Sequence, residues 1–568
     1  MSILNIKNIG EKVILNGWVN KARRLGDLVF LDLRNEDGIT QIVVSKTSSA
    51  HKIALLLRSE YVITVEGKVA KRKEPNPKLA SGEIEILATN IVIINEAKQT
   101  PLIIADETDA LEQKRMEYRY LDLRRPVIHN TLLVRAKFNH IIRNFFYEKG
   151  FVEVETPIIT KPTPGGANEL EVLSMNHLGK YYALAQSPQV YKQLLMYGGI
   201  EKYYQIAKCF RDEDSRADRQ LEFTQLDLEK AFTSEKEIQE IIKQLLIKIV
   251  KEFKTSKAKI SFAEISYVDA LNLYGLDKPD TRFENHLVDL TTLFTKTDLK
   301  FIKNGLKNKK IVKGLFFEQT FSNTEIKKLE DKVKLEGGIG LASLQVEKGQ
   351  IIKGSLKGIS EKELKEILKL TSWSTFTLLV VIDSWTNACE FLGRIRFELG
   401  QKFALTNSKQ FNFVWVTNWP LFTLNKDNKL EAMHNPFTAV VDKDLELYKK
   451  TSINDQKTLL SLMSKAYDIV LNGSEIGGGA IRFSDFKLQE KVFEILGLSP
   501  EETKTMFGWL LEAQQYGIPQ HGGIALGLDR ILSILLNTNS IRDVIAFPKA
   551  TSGKDEMMKA PITRKKED

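Results

Sequence analysis

The sequence has little of what several large protein classes require. Cys209 and Cys389 are the only cysteines among 568 residues and lie far apart, which excludes a disulfide framework and a CxxC zinc site. The best apolar run, residues 376–382, is far shorter than the roughly 18 residues that a membrane helix needs. Residues 1–20 also lack the apolar core of a signal peptide. We therefore expect a reduced, cytoplasmic protein with no contact to a membrane.

Several catalytic motifs are also missing. The chain contains no GxxxxGKS or GxxxxGKT loop, no GxGxxG that follows a strand, no HExxH and no GxSxG. These absences disfavour a P-loop, a Rossmann nucleotide fold and serine hydrolysis. What is present is the composition of a globular protein, with 43% hydrophobic and 27% charged residues. Lys and Arg number 82 against 73 Asp and Glu, a modest excess that is compatible with a nucleic-acid partner.

The first 104 residues show short β-rich runs separated by turns, which predicts a small closed β-barrel of the OB type. Basic residues around Arg23 lie beside Phe30 in one predicted hairpin. The charges alone fit a solvated sheet edge equally well. The neighbouring aromatic ring favours single-stranded nucleic acid, because bases stack on the ring while the cations hold phosphates.

The rest of the chain is predicted to be α+β. Residues 105–130 are polar and charged and are predicted to form a hinge, and a periodic helix follows and ends at Gly150. Residues 131–281 and 411–568 share a mixed pattern of strands and helices and are predicted to form one domain, interrupted by an α+β insertion at residues 282–410. Within the insertion, Ser360 and Glu363 have the spacing of a capping box and predict a helix start.

Three segments have the residue types of a reactive site. The first is a strand at residues 151–157 that ends in Pro157, and the third is a glycine-rich stretch at residues 522–530 that leads into a helix carrying Arg530. The second, residues 209–229, consists of two strands joined by a charged loop. Alternation along its second strand places four residues on one face: Phe223, Gln225, Asp227 and Glu229. Unpaired buried carboxylates are unfavourable in a core, so this face is predicted to bind a polar ligand.

Together and in this order, the three segments resemble the motifs of class II aminoacyl-tRNA synthetases. The resemblance is closer still to bacterial aspartyl-tRNA synthetases and extends over essentially the whole chain. It includes residues 118–125 (YRYLDLRR), 186–195 (QSPQVYKQLL), 209–214 (CFRDED), 472–479 (NGSEIGGG) and 541–548 (IRDVIAFP). It implies a multidomain α+β fold: an N-terminal OB-fold anticodon-binding barrel, a catalytic domain on an antiparallel sheet, and the inserted domain. It also implies a homodimer with Pro157 at its interface.

The reaction that the resemblance implies has two steps. L-aspartate and ATP form aspartyl-adenylate and pyrophosphate, and the aspartyl group then passes to the 3′ end of tRNA(Asp). Relaxed charging of tRNA(Asn) as well is a second hypothesis; Leu25, where relaxed members often carry histidine, favours strict specificity. Two further hypotheses are a tRNA-independent amino-acid ligase with the same catalytic fold and an inactive RNA-binding protein.

The resemblance also implies roles for individual residues. The catalytic residues are Arg211, Glu213, Glu475 and Arg530. The ATP contacts are Arg211, Asp212, Glu213, Gln220, Phe223, Glu475, Gly527, Leu528, Asp529 and Arg530. The aspartate contacts are Ser187, Gln189, Lys192, Arg211, Asp227, His434 and Arg482. The anticodon contacts are Arg23, Phe30, Gln41 and Glu85. The Mg²⁺ that accompanies ATP is expected on Asp468 and Glu475, and the side-chain carboxylate of aspartate on Lys192 and Arg482.

Three features depart from the family's pattern. The loop at residues 163–167 reads TPGGA, so Gly165 stands where a glutamate usually helps to hold the amino group of aspartate. Asn435 stands where a second histidine is common, and the chain after Pro548 is short. The first departure bears on the affinity for aspartate and on closure of the loop, and the last on contacts with the acceptor stem or a second subunit.

Overall fold

The computed structural model describes residues 4–162, 168–254, 258–407 and 409–563. The TPGGA loop at residues 163–167 and the charged tail at residues 564–568 lie outside these ranges. The chain divides into two compact units, one of residues 1–129 with 556–558 and one of residues 130–555 with 559–568. Across the described ranges, no helix has the length and apolar character that would let it cross a membrane.

The first unit is built on a closed five-stranded barrel. Its elements are β1 (Lys12–Leu25), β2 (Leu28–Asn35), β3 (Gly38–Ser45), α1 (His51–Ala54), β4 (Val62–Lys71) and β5 (Ile84–Asn95). Around the barrel the strands follow the order β1-β2-β3-β5-β4. Alternate residues of β2 point inward, so Val29, Leu31 and Leu33 join the core, whereas Phe30 stays outside it. The predicted OB-type barrel is confirmed.

Residues 105–130, which the sequence predicted as a hinge, contain helices. These are α2 (Glu112–Glu117), α3 (Arg119–Asp122) and the start of α4 (Pro126–Glu148). The carboxylate of Asp122 is fully buried and accepts hydrogen bonds from Arg115, Arg119 and Arg125 at 2.9, 2.5 and 2.8 Å. Burial alone would raise the pKa of Asp122, but the guanidinium groups of Arg115 and Arg125 outweigh it and lower the pKa overall.

We expect Asp122→Asn to destabilise the first unit by about 3 kcal/mol, because it leaves buried guanidinium groups without their counter-charge. Since the folded pKa of Asp122 is lowered, its contribution is complete above the unfolded pKa of about 4 and is lost as the pH falls through the folded value. The free energy of unfolding can be measured by hydrogen exchange of the barrel amides from about pH 7 to about pH 3. The difference in this free energy between wild type and variant should become smaller as the pH falls.

The matched control is Glu117→Gln, since Glu117 is part of an exposed ion pair with Lys114 at 3.3 Å on α2. Such surface pairs contribute at most about 1 kcal/mol, so this variant should behave as wild type. A difference for Asp122→Asn that stays constant with pH would contradict the electrostatic explanation.

The second unit continues with strands and helices on both sides of an inserted segment. Residues 130–285 form β6 (Val152–Glu153), β7 (Ile159–Thr160), β8 (Glu171–Leu173), β9 (Tyr181–Leu184), α5 (Gln189–Tyr197), β10 (Lys202–Phe210), β11 (Glu222–Ala231), α6 (Glu235–Phe253), β12 (Lys259–Ser266) and α7 (Tyr267–Tyr274). Residues 286–407 form β13 (Leu287–Asp289), α8 (Lys300–Lys307), β14 (Ile311–Phe317), α9 (Asn323–Leu335), β15 (Ala342–Glu347), β16 (Gln350–Lys353), α10 (Glu361–Lys369), β17 (Phe376–Asp383) and α11 (Trp385–Lys402). Residues 409–563 form β18 (Gln410–Thr417), β19 (Phe422–Leu424), β20 (Leu430–Ala432), α12 (Leu445–Lys450), α13 (Gln456–Leu459), β21 (Ala466–Leu471), β22 (Ser474–Ile481), α14 (Phe486–Ile495), α15 (Pro500–Ala513), β23 (His521–Gly527) and α16 (Leu528–Leu536).

An eight-stranded sheet, in the order β12-β18-β21-β22-β23-β11-β10-β6, organises the second unit. The five strand pairs between β18 and β10 are antiparallel. The two pairs at the edges of the sheet, β12 with β18 and β10 with β6, are parallel. Apolar residues of α4, α6 and α16 cover one face and form the main core with it. The opposite face of β11 carries Gln225, Asp227 and Glu229, as the alternation predicted. The predicted antiparallel catalytic sheet is confirmed.

The inserted segment folds around its own five-stranded antiparallel sheet, in the order β13-β14-β17-β15-β16. Helices α9 and α11 cover one face of this sheet, and α8 and α10 lie over the other. The helix start predicted at Ser360 is confirmed, with a complete capping box between Ser360 and Glu363. Helix α11 touches α7 where Gly393 meets Gly275, and a side chain on either glycine would collide with the other's backbone.

Candidate active site

A cavity of about 460 Å³ lies on the polar face of the eight-stranded sheet. Most residues that the sequence predicted to bind ATP, aspartate or Mg²⁺ line it: Gln189, Lys192, Arg211, Glu213, Gln220, Phe223, His434, Asp468, Glu475, Arg482, Gly527, Asp529 and Arg530. The second and third sequence segments therefore meet at one place. The backbone N–H of Thr224 donates to the carboxylate of Asp529 there, although more than 300 positions separate the two residues. The first segment contributes β6, at the edge of the same sheet.

Within the described part of the chain, four predicted residues stay off the cavity wall. Leu528 belongs to the apolar core. Asp227 is fully buried behind Lys192. The backbone of Asp212 pairs with Asn168 beside a neighbouring cavity. Ser187 lies in the loop that precedes α5.

One end of the cavity holds two buried cations. The ammonium group of Lys192 lies 3.0 Å from Asp227 Oδ1 and 3.3 Å from Glu229 Oε2. Arg482 Nε lies 3.3 Å from Glu229 Oε1. Burial raises the pKa of Asp227. Burial would raise the pKa of Glu229 too, but Arg482 and Lys192 outweigh it and lower that pKa. Glu229 therefore remains ionised and fixes both cations in place.

The outer edge of the Arg482 guanidinium group faces neutral acceptors. It donates to the amide oxygen of Asn435 at 3.5 Å and to that of Gln189 at 3.3 Å, both long for hydrogen bonds. The Asn435 oxygen is also held by the Phe437 backbone N–H at 3.0 Å. A ligand carboxylate at this edge would form shorter, charge-assisted bonds. This end of the cavity can therefore bind a carboxylate.

The other end of the cavity carries two arginines and an aromatic ring. The guanidinium carbon of Arg211 lies 5.2 Å from the centre of the Phe223 ring. Arg211 Nε is buried and has no hydrogen-bond partner among the described residues. Arg530 donates to the carbonyl oxygens of Glu475 and Asp218, the latter at 3.4 Å. A buried donor without a partner is unfavourable, and this nitrogen can donate to a ligand that enters the cavity.

The charged loop between β10 and β11 is held by an ion pair within the loop and by a hydrogen bond from the segment that follows Pro548. Glu213 forms an ion pair with Arg219 at 2.8 Å. The side-chain oxygen of Gln220 accepts a hydrogen bond from the backbone N–H of Lys549 at 2.8 Å. The side-chain oxygens of Glu213 and Gln220 that would contact a nucleotide are therefore engaged by protein groups.

Two carboxylates and a histidine lie between the two ends of the cavity. His434 Nε2 lies 2.9 Å from Asp468 Oδ1; burial would lower the pKa of His434, but the negative charge of Asp468 raises it overall. Burial and the charge of Asp468 raise the pKa of Glu475 against the opposing charge of Arg530. A divalent cation would relieve this repulsion, and two carboxylates are the donor type that Mg²⁺ prefers. In the described ranges, no cluster of three or more acidic, histidine or cysteine side chains could hold a metal.

The residues predicted to read the anticodon lie together in the first unit. Arg23 on β1 faces Phe30 across the β1–β2 hairpin and forms an ion pair with Asp32 at 2.9 Å. Gln41 on β3 donates to Glu85 on β5 at 2.8 Å. Phe30 is outside the barrel core and is partly buried.

Comparison with known proteins identifies the family. A family model described as tRNA synthetases class II (D, K and N) matches residues 111–551, and a model described as OB-fold nucleic acid binding domain matches residues 13–94. The chain belongs to the class II tRNA synthetases. This synthetase is 43% identical over 567 residues to the aspartate–tRNA(Asp/Asn) ligase of Bacillus cytotoxicus, an alignment that covers 98% of this chain and 95% of the relative. It is 44% identical to the protein of the same name from Geobacillus sp., over 98% of this chain and 94% of the relative.

Solved structures show the same fold at lower identity. Asparaginyl-tRNA synthetase from Pyrococcus horikoshii, complexed with asparaginyl-adenylate, superposes with a TM-score of 0.58 at 22% identity and covers 95% of both chains. Aspartyl-tRNA synthetase from Entamoeba histolytica superposes with a TM-score of 0.56 at 19% identity, over 96% of this chain and 91% of the other. The synthetase therefore shares the class II fold with enzymes named for different amino acids.

Sequence reasoning gave no individual role to three residues that shape the site. Glu229 holds both Lys192 and Arg482, and its position on the polar face of β11 was the only signal. Asn435 was noted as a departure from the family's pattern, and it contacts Arg482. Arg135 lies on α4 and contacts Asp529, and nothing in the sequence pattern distinguishes it from other charged helix residues.

Proposed function

We propose that this synthetase activates L-aspartate with ATP and transfers the aspartyl group to the 3′ end of tRNA(Asp). One observation carries the proposal: Lys192 and Arg482 line the same cavity as Arg211 and Arg530. The names of the relatives at 43 and 44% identity support it. Because aminoacyl-tRNA is consumed by ribosomes, the proposed place of action is the cytoplasm.

Selection of aspartate follows from the charges at one end of the cavity. The side-chain carboxylate of aspartate would replace the neutral amides of Gln189 and Asn435 at the outer edge of Arg482. Asparagine would offer this edge one amide oxygen and an NH₂ group, and a guanidinium group cannot accept a hydrogen bond from NH₂. Sites built around specific polar partners reject an analogue that leaves those partners unpaired. The end formed by Lys192 and Arg482 therefore favours the dicarboxylic amino acid.

Adenylate formation would take place toward the other end of the cavity. An oxygen of the aspartate α-carboxylate attacks the α-phosphorus of ATP; a new P–O bond forms and the bond to pyrophosphate breaks. Such transfers depend on alignment and charge neutralisation. Arg211, with its unpartnered Nε, would bridge the carboxylate and the α-phosphate and balance the charge on the phosphate oxygens. Arg530 would contact the γ-phosphate, with adenine between it and Phe223.

Asp468 and Glu475 would hold Mg²⁺ together with the phosphates of ATP. The support for this is the mutual repulsion of two carboxylates in a buried wall. When bound, the ion would neutralise phosphate charge. The chain's own part is to fix the two carboxylates on adjacent strands, β21 and β22.

The anticodon-binding role of the barrel is also a proposal, and Phe30 tests it. We expect Phe30→Ala to raise the KM for tRNA about 10- to 100-fold, because stacking of one base on an aromatic ring contributes about 1–3 kcal/mol. Aspartate-dependent pyrophosphate exchange should not change, since that step needs no tRNA. The control is Ile14→Ala, which removes an exposed apolar side chain from β1 of the same barrel. An unchanged KM for tRNA with Phe30→Ala would contradict anticodon reading by this surface.

A homodimer is proposed from the apolar surface beside Pro157. Val152, Ile158 and Ile159 are each about half exposed there. Contiguous exposed apolar residues are typical of interfaces between subunits. Light scattering should give about twice the chain mass of 64.6 kDa, and a monomeric mass would contradict the proposal.

The function itself is tested by charging purified tRNA(Asp) and tRNA(Asn) side by side with labelled aspartate. We expect tRNA(Asp) to be charged. Comparable charging of tRNA(Asn) would establish relaxed specificity, which the relatives' names favour and Leu25 does not. Exchange activity without charging of either tRNA would favour the tRNA-independent ligase. Absence of both activities would favour an RNA-binding protein without catalysis.

A further inference from the structure

Arg135, on α4, contacts three segments of the second unit that are far from it in the sequence. One Nη atom lies 2.5 Å from Asp529 Oδ1 and donates to the carbonyl oxygen of Val544 at 2.9 Å. The other Nη atom donates to the hydroxyl group of Thr224 at 3.1 Å. The guanidinium group therefore links α4 to β11, to α16 and to the 3-10 turn that ends at Val544.

Asp529 completes the connection between β11 and α16. Its second carboxylate oxygen accepts a hydrogen bond from the Thr224 backbone N–H at 2.8 Å. The Asp529 side chain is only 4% exposed, so its carboxylate depends on these partners. Asp529, which the sequence predicted to contact ATP, lines the cavity, and its two carboxylate oxygens bind Arg135 and Thr224.

The residues next to Thr224 and Asp529 in the sequence are the proposed walls of the adenine site. Phe223 directly precedes Thr224 on β11, and Arg530 directly follows Asp529 on α16. Arg135 is outside the wall of the cavity that these residues line. The planar guanidinium group holds a carboxylate in a fixed geometry. The backbone positions of both walls therefore depend on one side chain that lies behind them.

We propose that Arg135 is a positioning residue that sets the separation of Phe223 and Arg530 and thereby the affinity for the adenine ring of ATP. The proposal rests on the proposed function, because it takes the cavity to be the ATP site. Misplacement of binding groups by about 1 Å can reduce rates about 100-fold. Loss of the Arg135 contacts is therefore expected to weaken base binding more than phosphate or aspartate binding.

The test compares Arg135→Met and Arg135→Lys in the full-length chain. Pyrophosphate exchange is measured against ATP and against aspartate, and adenosine is titrated directly by calorimetry. We expect Arg135→Met to raise the KM for ATP and the Kd for adenosine about tenfold, with the KM for aspartate changed less than about twofold. Arg135→Lys should lie between wild type and Arg135→Met, because lysine keeps the charge and loses the fork.

The matched control is Arg143→Met, which removes an exposed guanidinium group from the same helix; Arg143 pairs with Glu153 at 3.1 Å. This variant should leave the KM for ATP and the Kd for adenosine unchanged. A lowered melting temperature with unchanged ATP and adenosine affinity would overturn the proposal and make Arg135 a purely structural residue. An equal loss of ATP and aspartate affinity would overturn it as well. If the wild type binds adenosine but catalyses no exchange, the proposed function fails, and the adenosine titration still decides the role of Arg135.

Discussion

Arg482→Leu is expected to reduce aspartate-dependent pyrophosphate exchange by about a thousand-fold, since truncating one partner of a buried, hydrogen-bonded charge pair at a binding surface costs about 2–5 kcal/mol of binding free energy. The variant loses the guanidinium edge that the side-chain carboxylate of aspartate would occupy, and it leaves Glu229 with Lys192 as its paired cation. ATP binding should change less than about twofold, because Arg211 and Arg530 lie at the other end of the cavity and distant sites are nearly additive.

Two further variants make this result specific. Arg482→Lys keeps the positive charge and loses the paired N–H donors of the guanidinium group, so we expect activity between that of wild type and Arg482→Leu. Lys487→Leu removes an exposed cation at the start of α14 and should have no effect. Exchange kinetics against aspartate and calorimetric titration with ATP measure both quantities. Unchanged aspartate activation in Arg482→Leu would refute the assignment of specificity to this arginine.

Arg211→Gln is expected to lower the kcat of exchange about 100- to 1,000-fold, the magnitude seen when one donor to a developing negative charge is removed. Arg211 has a buried Nε without a partner among the described residues and lies beside Phe223 on the cavity wall. Glutamine keeps a hydrogen-bond donor and loses the positive charge. The KM for aspartate should change less than kcat, because Lys192 and Arg482 remain.

Lys208→Gln provides the comparison for Arg211→Gln. Lys208 lies on β10, three residues before Arg211, and pairs with Glu222 at 3.1 Å, with about half of its side chain exposed. The same change of charge at this position should leave kcat unchanged, because surface pairs contribute little. Single-turnover formation of aspartyl-adenylate separates chemistry from product release. If Arg211→Gln changed only KM, charge stabilisation during transfer would not be its role.

Much of the fold and the position of the site could be predicted from local sequence signals. The alternation of Phe223, Gln225, Asp227 and Glu229 needs no tertiary information, because side chains of a strand point to opposite faces in turn. The helix that ends before Gly150 and the capping box at Ser360 are equally local. The barrel followed from short strands with regular turns. The roles of single residues came from resemblance to a family, and geometry then placed most of them around one cavity.

The contacts that could not be predicted are those between distant segments. Arg135 and Asp529 are 394 positions apart, and no local pattern indicates that a helix residue will pair with the residue before Arg530. The buried contacts between Asp122 and its three arginines could not be predicted either. These residues lie in a highly charged stretch, residues 105–130, that was interpreted as a hinge. Charge alone does not distinguish a solvated segment from one whose charges neutralise each other inside a fold.

The connection of the inserted segment limits how it can be removed. Strands β12 and β18 are parallel neighbours, so the chain that leaves the end of β12 must return about 26 Å along the sheet before β18 begins. Helix α11 is the last element before β18; it packs on the sheet of the inserted segment and touches the end of α7. A deletion that joined β12 directly to β18 would force the two strands to become antiparallel and would turn every side chain of β18 to a new neighbour.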